Sequence, residues 1–219
     1  MIASAQTSNS NLAQKNNRLS VQSQHFAEDS CAIRSLDWDR SRFDIEFGLR
    51  NGTTYNSFII QGQKLAIIDT SHAKFEKLWL EELFKQVKPQ EIDYLITSHT
   101  EPDHSGLISK LIELNPNITI VGSKLALKFI EDQIHLPFKR LEVKSGEFLN
   151  LGINTNSGLE HNIEFISAPN LHWPDTIFSY DHSTNILYTC DAFGLHYCSE
   201  EFFDTDQKEI YDDFRFYYD

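Results

Sequence analysis

LITSHTEPDHSGL, residues 95–107, closes an apolar run and then places His99, Glu101, Asp103 and His104 within six positions. Two carboxylates and two imidazoles beside a hydrophobic segment lose hydration and repel one another, so they oppose folding unless positive charge sits among them. In an extended loop His99 and Glu101, two residues apart, project to the same side. Pro102 stiffens the loop, Asp103 and His104 follow as the next helix begins, and Gly106 permits a close approach there. One short loop therefore presents four ligand-type side chains toward a common point. Before it, IDYLITS (92–98) has the character of a buried strand. After it, SGLISKLIELN repeats apolar pairs at Leu107/Ile108 and Leu111/Ile112, the spacing of an amphipathic helix.

Outward from this loop, strands and helices alternate. KLAIIDT (64–70) predicts a strand ending at Asp69, and KFEKLWLEELFKQV (74–87) a helix with Phe75, Leu78, Trp79 and Leu83 on one face, stopped by Pro89. ITIVGS (118–123) predicts a strand and KLALKFIEDQI (124–134) a helix. RFDIEFGL and TTYNSFIIQG read as two strands separated by the turn-prone Asn51-Gly52. The second half is strand-rich: FKRLEVKSG, NIEFISA, DTIFSYD and NILYTCD, with a turn over Asp181 to Asn185. Alternation followed by a strand-rich half predicts a layered α/β sheet protein rather than a barrel or bundle.

The chain of 219 residues, 40% of them hydrophobic, can bury a sizeable core. No run approaches eighteen apolar residues, so no membrane span is expected. A net charge of −13 argues against nucleic acid or anionic lipid as the main partner, because both require a basic surface. Cys31, Cys190 and Cys198 form no CxxC pair, which suggests neither a disulfide framework nor a thiolate zinc site. Cys190 reads as a small buried thiol and the chain as a reduced, cytoplasmic one. Residues 1–30, rich in Ser, Asn and Gln, read as a disordered tail ahead of a domain over 31–219. No GxGxxG or P-loop pattern supports nucleotide binding.

Imidazole with carboxylate suits zinc, iron or manganese, whereas calcium prefers all-oxygen shells. Four donors from one segment exceed what a single ion usually takes, and dividing them between two adjacent ions relieves the carboxylate repulsion. Two ions need a bridging carboxylate and further imidazole from strand ends. His172 in SAPNLHWPDT and Asp191 in LYTCDAFG each follow a strand and answer that need. The pattern predicts a dinuclear metal site. His25, His135, His161 and His182 read as solvated. His72, His196 and Asp69 follow strands and are open between structural and supporting roles, while Trp173 and Tyr197 read as packing residues.

HTEPDHSG, with His172 in PNLHWPDT and Asp191 in CDAFG, resembles the metallo-β-lactamase-like domain of flavodiiron proteins, and most of all that of cyanobacterial diflavin flavoproteins. The likeness extends from Ile33 onward through SLDWDRSRFDIEFGL, NGTTYNSF, DTSHAKF and DAFGLHYC. It implies a layered αββα fold, here C-terminally incomplete. It implies two irons, one held by His99, Glu101 and His172, the other by Asp103 and His104, with Asp191 bridging. Zinc hydrolases of the fold carry histidine where Glu101 stands, and an anionic oxygen there favours harder, more oxidised iron. The family reduces dioxygen to water, or nitric oxide to nitrous oxide, with electrons from FMN on a flavodoxin-like domain, usually of the opposing subunit in a dimer.

Two family parts are not found in this sequence: a further histidine for the second iron, from a Gly-His loop, and the flavodoxin-like and flavin reductase domains. The resemblance therefore implies a truncated diiron domain, little active alone, that takes electrons from a flavin donor in trans and pairs with itself or with full-length relatives. Seven aromatics between Ser199 and Asp219, namely Phe202, Phe203, Tyr211, Phe214, Phe216, Tyr217 and Tyr218, are expected to form an exposed patch. Two other readings stand beside this one. One is a dinuclear zinc hydrolase of the same fold, and the other a non-catalytic metal-binding remnant.

Overall fold

A computed structural model describes residues 18–43, 47–205 and 210–218. Its frame is a seven-stranded sheet containing β1 (Leu19–Ala27), β2 (Ser30–Asp37), β5 (Thr53–Gln61), β6 (Leu65–Ile68), β7 (Ile92–Ile96), β8 (Thr119–Gly122) and β9 (Lys139–Glu142), adjacent in that order. The first four strands pair antiparallel, β1 with β2 and β5 with β6 through short turns, and β2 with β5 across the longer segment 38–52. From β6 to β9 the pairing is parallel. The change follows from the connections, since α1 (Glu76–Gln86), α3 (Ile108–Leu114) and α4 (Lys124–Ile134) lie between the parallel strands and return the chain to the same edge. A second, antiparallel sheet orders β10 (Phe148–Ile153), β11 (Glu160–Ser167), β12 (Ile177–Asp181) and β13 (Ile186–Tyr188).

Two cores result. Ile67, Leu95 and Ile120 on one face of the first sheet pack against Phe75, Trp79, Leu83, Leu111, Leu127 and Ile130 from the helical layer. Ile60, Ile68, Ile96 and Val121 on the other face pack against Leu149, Leu151, Ile163 and Phe165 of the second sheet. Strands β6 and β7 are apolar nearly throughout because both of their faces are covered. Trp79 is fully buried and satisfies its indole by donating to Ser57 Oγ at 2.8 Å. Each such large side chain contributes roughly 1.5–3 kcal/mol by burial. The layering is that of the metallo-β-lactamase-like α/β core.

Several local expectations change. Leu19–Ala27 is strand β1, inside the segment read as a tail, and carries His25; residues 1–17 lie outside the described residues. Polar side chains concealed β1 because it is an edge strand that pairs only with β2. RFDIEFGL gives two short strands, β3 (Arg42–Phe43) and β4 (Phe47–Gly48), which form a ribbon of their own. Strand β10 sits in a stretch left unassigned, where Gly152 at φ +75° marks an irregular register that interrupts the alternation. Of the rings expected to form an exposed patch, Phe203 and Tyr211 are exposed and Phe202 and Phe214 half-buried, Phe202 under Arg34; on α5 (Ile210–Tyr218) the side chains of Phe216, Tyr217 and Tyr218 lie outside those described.

Candidate metal centre

The carboxyl ends of the parallel strands converge with two loops of the second sheet, the region where open α/β sheets collect ligands. Asp69 follows β6, His99 and Glu101 follow β7, His172 lies between β11 and β12, and Asp191 follows β13. Asp103 and His104 sit in α2 (Pro102–Ser105), a single turn with Pro102 in its first position. Gly106 closes that turn against the neighbouring loop. A Cβ there would stand 2.4 Å from Pro102 O and 2.8 Å from both Ala73 N and Ser71 O.

The structure brings all six expected residues together around Asp191. Asp191 Oδ2 lies 2.9 Å from His99 Nε2 and 3.3 Å from His172 Nε2, while Oδ1 lies 2.9 Å from His104 Nε2. Glu101 Oε2 is 3.3 Å from His172 Nε2, and Asp103 Oδ2 is 3.7 Å from His104 Nε2. His99, Glu101, Asp103 and His104 are buried, whereas the His172 side chain is 48% exposed and marks the open side.

The donor set fits metal. Donor atoms ~2.1 Å from one ion and at right angles stand ~3.0 Å apart, which is the spacing of the nitrogens and oxygens here. Glu101 Oε2 and Asp103 Oδ1 are buried and make no hydrogen bond, although His172 stands 3.3 Å from the former. Two buried carboxylate oxygens without donors carry a cost that a cation removes. His99, Glu101, His172 and Asp191 can each offer one atom to a common point, as can His99, His104, Cys190 and Asp191.

Electrostatics carry the same message. Burial raises the Asp103 carboxyl to about 6, helped by Asp191 and Glu101 and opposed by His104. His172 is raised to about 10 by the carboxylates of Asp191 and Glu101 beside it. Burial lowers His104, but Cys190, Asp191 and Asp103 carry it well above its ordinary value. Asp191 moves the other way: burial raises it, and His104, His172 and His99 overcome that and hold it far below the carboxylate range. Crowded acids of this kind demand positive charge at the point they surround.

Supporting residues surround the cluster. Asp69, buried at φ +57°, accepts from Ser98 N–H at 2.7 Å through Oδ1 and faces His104 Nδ1 at 3.2 Å through Oδ2. Cys190, read from sequence as a buried thiol, is half-buried at φ +54° with Sγ 3.7 Å from His104 Nδ1. Asn170 and Phe193, each two residues from a candidate ligand, share this left-handed backbone, of the kind that functional sites hold. His72 caps the short helical turn Ala73–Phe75 by accepting from Lys74 N–H, and His196 pairs with Thr53 Oγ1 at 3.0 Å over the Phe43 ring. The Trp173 ring stands 5.5 Å from that of His99. A cavity of about 160 Å³ between Phe43, Thr53, His196, Asp103 and Asp191 opens onto the cluster.

Two features escaped the sequence. Asp175, in a run read only as strand, is buried and accepts from Thr100 through both N–H and Oγ, at 3.0 and 2.7 Å. His161, read as solvated, is wholly buried on β11 between Asp181 (2.9 Å) and Asp29 (3.3 Å), remote in sequence. Among the described residues no helix is long and apolar enough to cross a membrane.

The model of the ODP family beta lactamase matches residues 53–218. Diflavin flavoprotein A 1 from Synechocystis sp. (strain PCC 6803) is 57% identical over 202 residues, which are 92% of this chain and 34% of that protein. The metal-soaked Flv1 flavodiiron core from Synechocystis sp. PCC6803 superposes with a TM-score of 0.83 at 30% identity, covering 91% of this chain and 49% of that one. Rubredoxin oxygen:oxidoreductase from the anaerobe Desulfovibrio gigas gives 0.81 at 29% identity, over 90% and 48%. The chain spans about a third of the length of the curated relatives it matches. It belongs to the beta-lactamase-like domain family that forms the core of the flavodiiron proteins.

Proposed function

We propose that this chain is the diiron domain of an oxidoreductase, with His99, Glu101 and His172 holding one iron, Asp103 and His104 the other, and Asp191 between them. The observation that carries this reading is the division of Asp191, whose two oxygens face different histidines. An iron pair held there would relay electrons from an external donor to dioxygen, giving water, or to nitric oxide, giving nitrous oxide.

The chain's own residues bind, orient and shield. Asp69 holds the His104 ring with Nε2 toward Asp191. Asp175 fixes the backbone between His99 and Glu101. Burial of His99, Glu101, Asp103 and His104 limits water on the inner side. The cavity beside Phe43, Thr53 and His196 has room for a diatomic molecule. The exposed edge of His172, with Leu171 beside it in sequence and Phe193 just beyond Asp191 also exposed, leaves a side open for an electron donor. That donor is proposed to be FMN on a flavodoxin-like domain of a dimeric partner, in the cytoplasm.

Metal analysis after native purification tests the reading. Iron as the predominant metal, lost in Asp191→Ala, supports it. Predominant zinc together with hydrolysis of a thioester, lactam or phosphodiester replaces it with the hydrolase reading. By itself the chain is proposed to bind metal and turn over little. Rapid, iron-dependent oxygen uptake by the chain alone overturns that part.

A further inference from the structure

The loops carrying Glu101 and His172 belong to different sheets, yet their donor atoms stand 3.3 Å apart. Something must hold the two loops in register. Thr100, between His99 and Glu101, donates both its N–H and its hydroxyl to Asp175 Oδ2. Asp175 lies three residues beyond His172, is 1% exposed, and is gripped from a third element by Ser123 Oγ, which donates to its carbonyl. Next to it, Ile177 N–H donates to Ser98 O at 2.9 Å. Asp175 thus joins the β7 loop, the β11–β12 loop and the start of α4. Its second oxygen, Oδ1, is buried with no hydrogen bond, so placing the group here carries a desolvation cost.

We propose that Asp175 is a positioning residue that sets the separation of Glu101 and His172, and with it the affinity of the metal position these two share. This rests on the ligand assignment proposed above. Asp175 touches no metal in this scheme; it acts through Thr100 on one side and through the loop bearing His172 on the other. Groups outside the ligand sphere change metal affinity by roughly 10–100-fold when removed. A carboxylate that accepts twice from the residue between two donors belongs to that class.

The test is titration of the full chain with Co²⁺, following the visible absorption of the bound ion and stoichiometry by equilibrium dialysis. Asp175→Ala is expected to weaken binding of one Co²⁺ by about 10–100-fold and to change the absorption envelope. Asp175→Asn keeps an acceptor oxygen for Thr100 and is expected to stay within about threefold of the parent. Thr100→Val, which retains the N–H bond and loses the hydroxyl bond, is expected to fall between them. Asn115→Ala, a buried change that removes bonds to Pro89 O and Ile92 O, controls for general loosening and should leave Co²⁺ binding intact.

Equal loss in Asp175→Asn and Asp175→Ala overturns the inference, as does equal loss in Asn115→Ala. Unchanged binding in Asp175→Ala with loss in Glu101→Ala overturns it while sparing the ligand assignment. Unchanged binding in both Glu101→Ala and His172→Ala overturns the assignment itself. Should Asp175→Ala fail to fold, the order of Thr100→Val and Asp175→Asn decides the matter.

Discussion

Asp69 Oδ2 stands 3.2 Å from His104 Nδ1, and both side chains are buried. The pairing fixes which imidazole nitrogen faces Asp191, because a ring anchored at Nδ1 presents Nε2. Asp69 reaches this position only through a left-handed backbone, with its other oxygen held by Ser98 N–H. Asp69→Ala is therefore expected to reduce affinity at the position shared by Asp103 and His104 by roughly 10–100-fold. Asp69→Asn, which keeps an acceptor, should lose less. Calorimetric titration with Zn²⁺ measures both, and an unaltered Asp69→Ala would remove the proposed role.

Metal removal should destabilise the domain. Glu101 Oε2 and Asp103 Oδ1 have no hydrogen-bond partner, so an ion that binds the folded site and not the unfolded chain stabilises by mass action. At a free metal concentration of one hundred times Kd the gain is about 2.7 kcal/mol per site. Urea unfolding with and without a chelator reads this difference. Coincident curves at saturating iron would exclude a metal site in this cluster.

His161 gives stability a pH dependence independent of the metal centre. Burial pushes its pKa down, but Asp181 and Asp29 overcome this and the net shift is upward. A raised folded value means the contribution is complete below the unfolded histidine value of about 6.5 and is lost as pH rises through the folded value. Asp181 is opposite in sign: its pKa is lowered, by His161 and its turn against burial, so its contribution is lost as pH falls through the folded value. His161→Asn should cost about 3 kcal/mol near pH 6, since it leaves the buried Asp181 and the half-buried Asp29 without their cation. The gap from the parent should narrow toward pH 9. Chelator-treated protein, unfolded in urea across pH 5.5–9, supplies the comparison; a gap constant with pH would refute the charged clamp.

Gly106→Ala tests the packing that seats α2. The added methyl would meet the backbone of Pro102, Ala73 and Ser71, none of which is a flexible side-chain end. The expected loss is at least ~1–3 kcal/mol in chemical denaturation, accompanied by weaker metal binding because Asp103 and His104 move with the turn. A variant as stable as the parent would show that the turn relaxes without consequence.

The residues of the candidate centre were legible because their chemistry is local. His99, Glu101, Asp103 and His104 share one loop, and their crowding beside an apolar strand announces a cation without knowledge of the rest. The apolar runs of β6, β7 and β8 and the face of α1 were equally plain, since strands buried on both sides and amphipathic helices each impose a distinct spacing. Strand β1 and the pairing of His161 with Asp29 and Asp181 were not. A polar edge strand takes its identity from the neighbour it joins, and His161 meets an acid 132 residues away. Asp175 shows the same division: a carboxylate in DTIFSYD has no local mark of function until the fold sets Thr100 against it. Short-range patterning of charge and hydrophobicity determined the class and the ligand loop. Contacts between distant segments, which need the finished chain path, decided how Asp191 divides its oxygens and what holds the ligands in place.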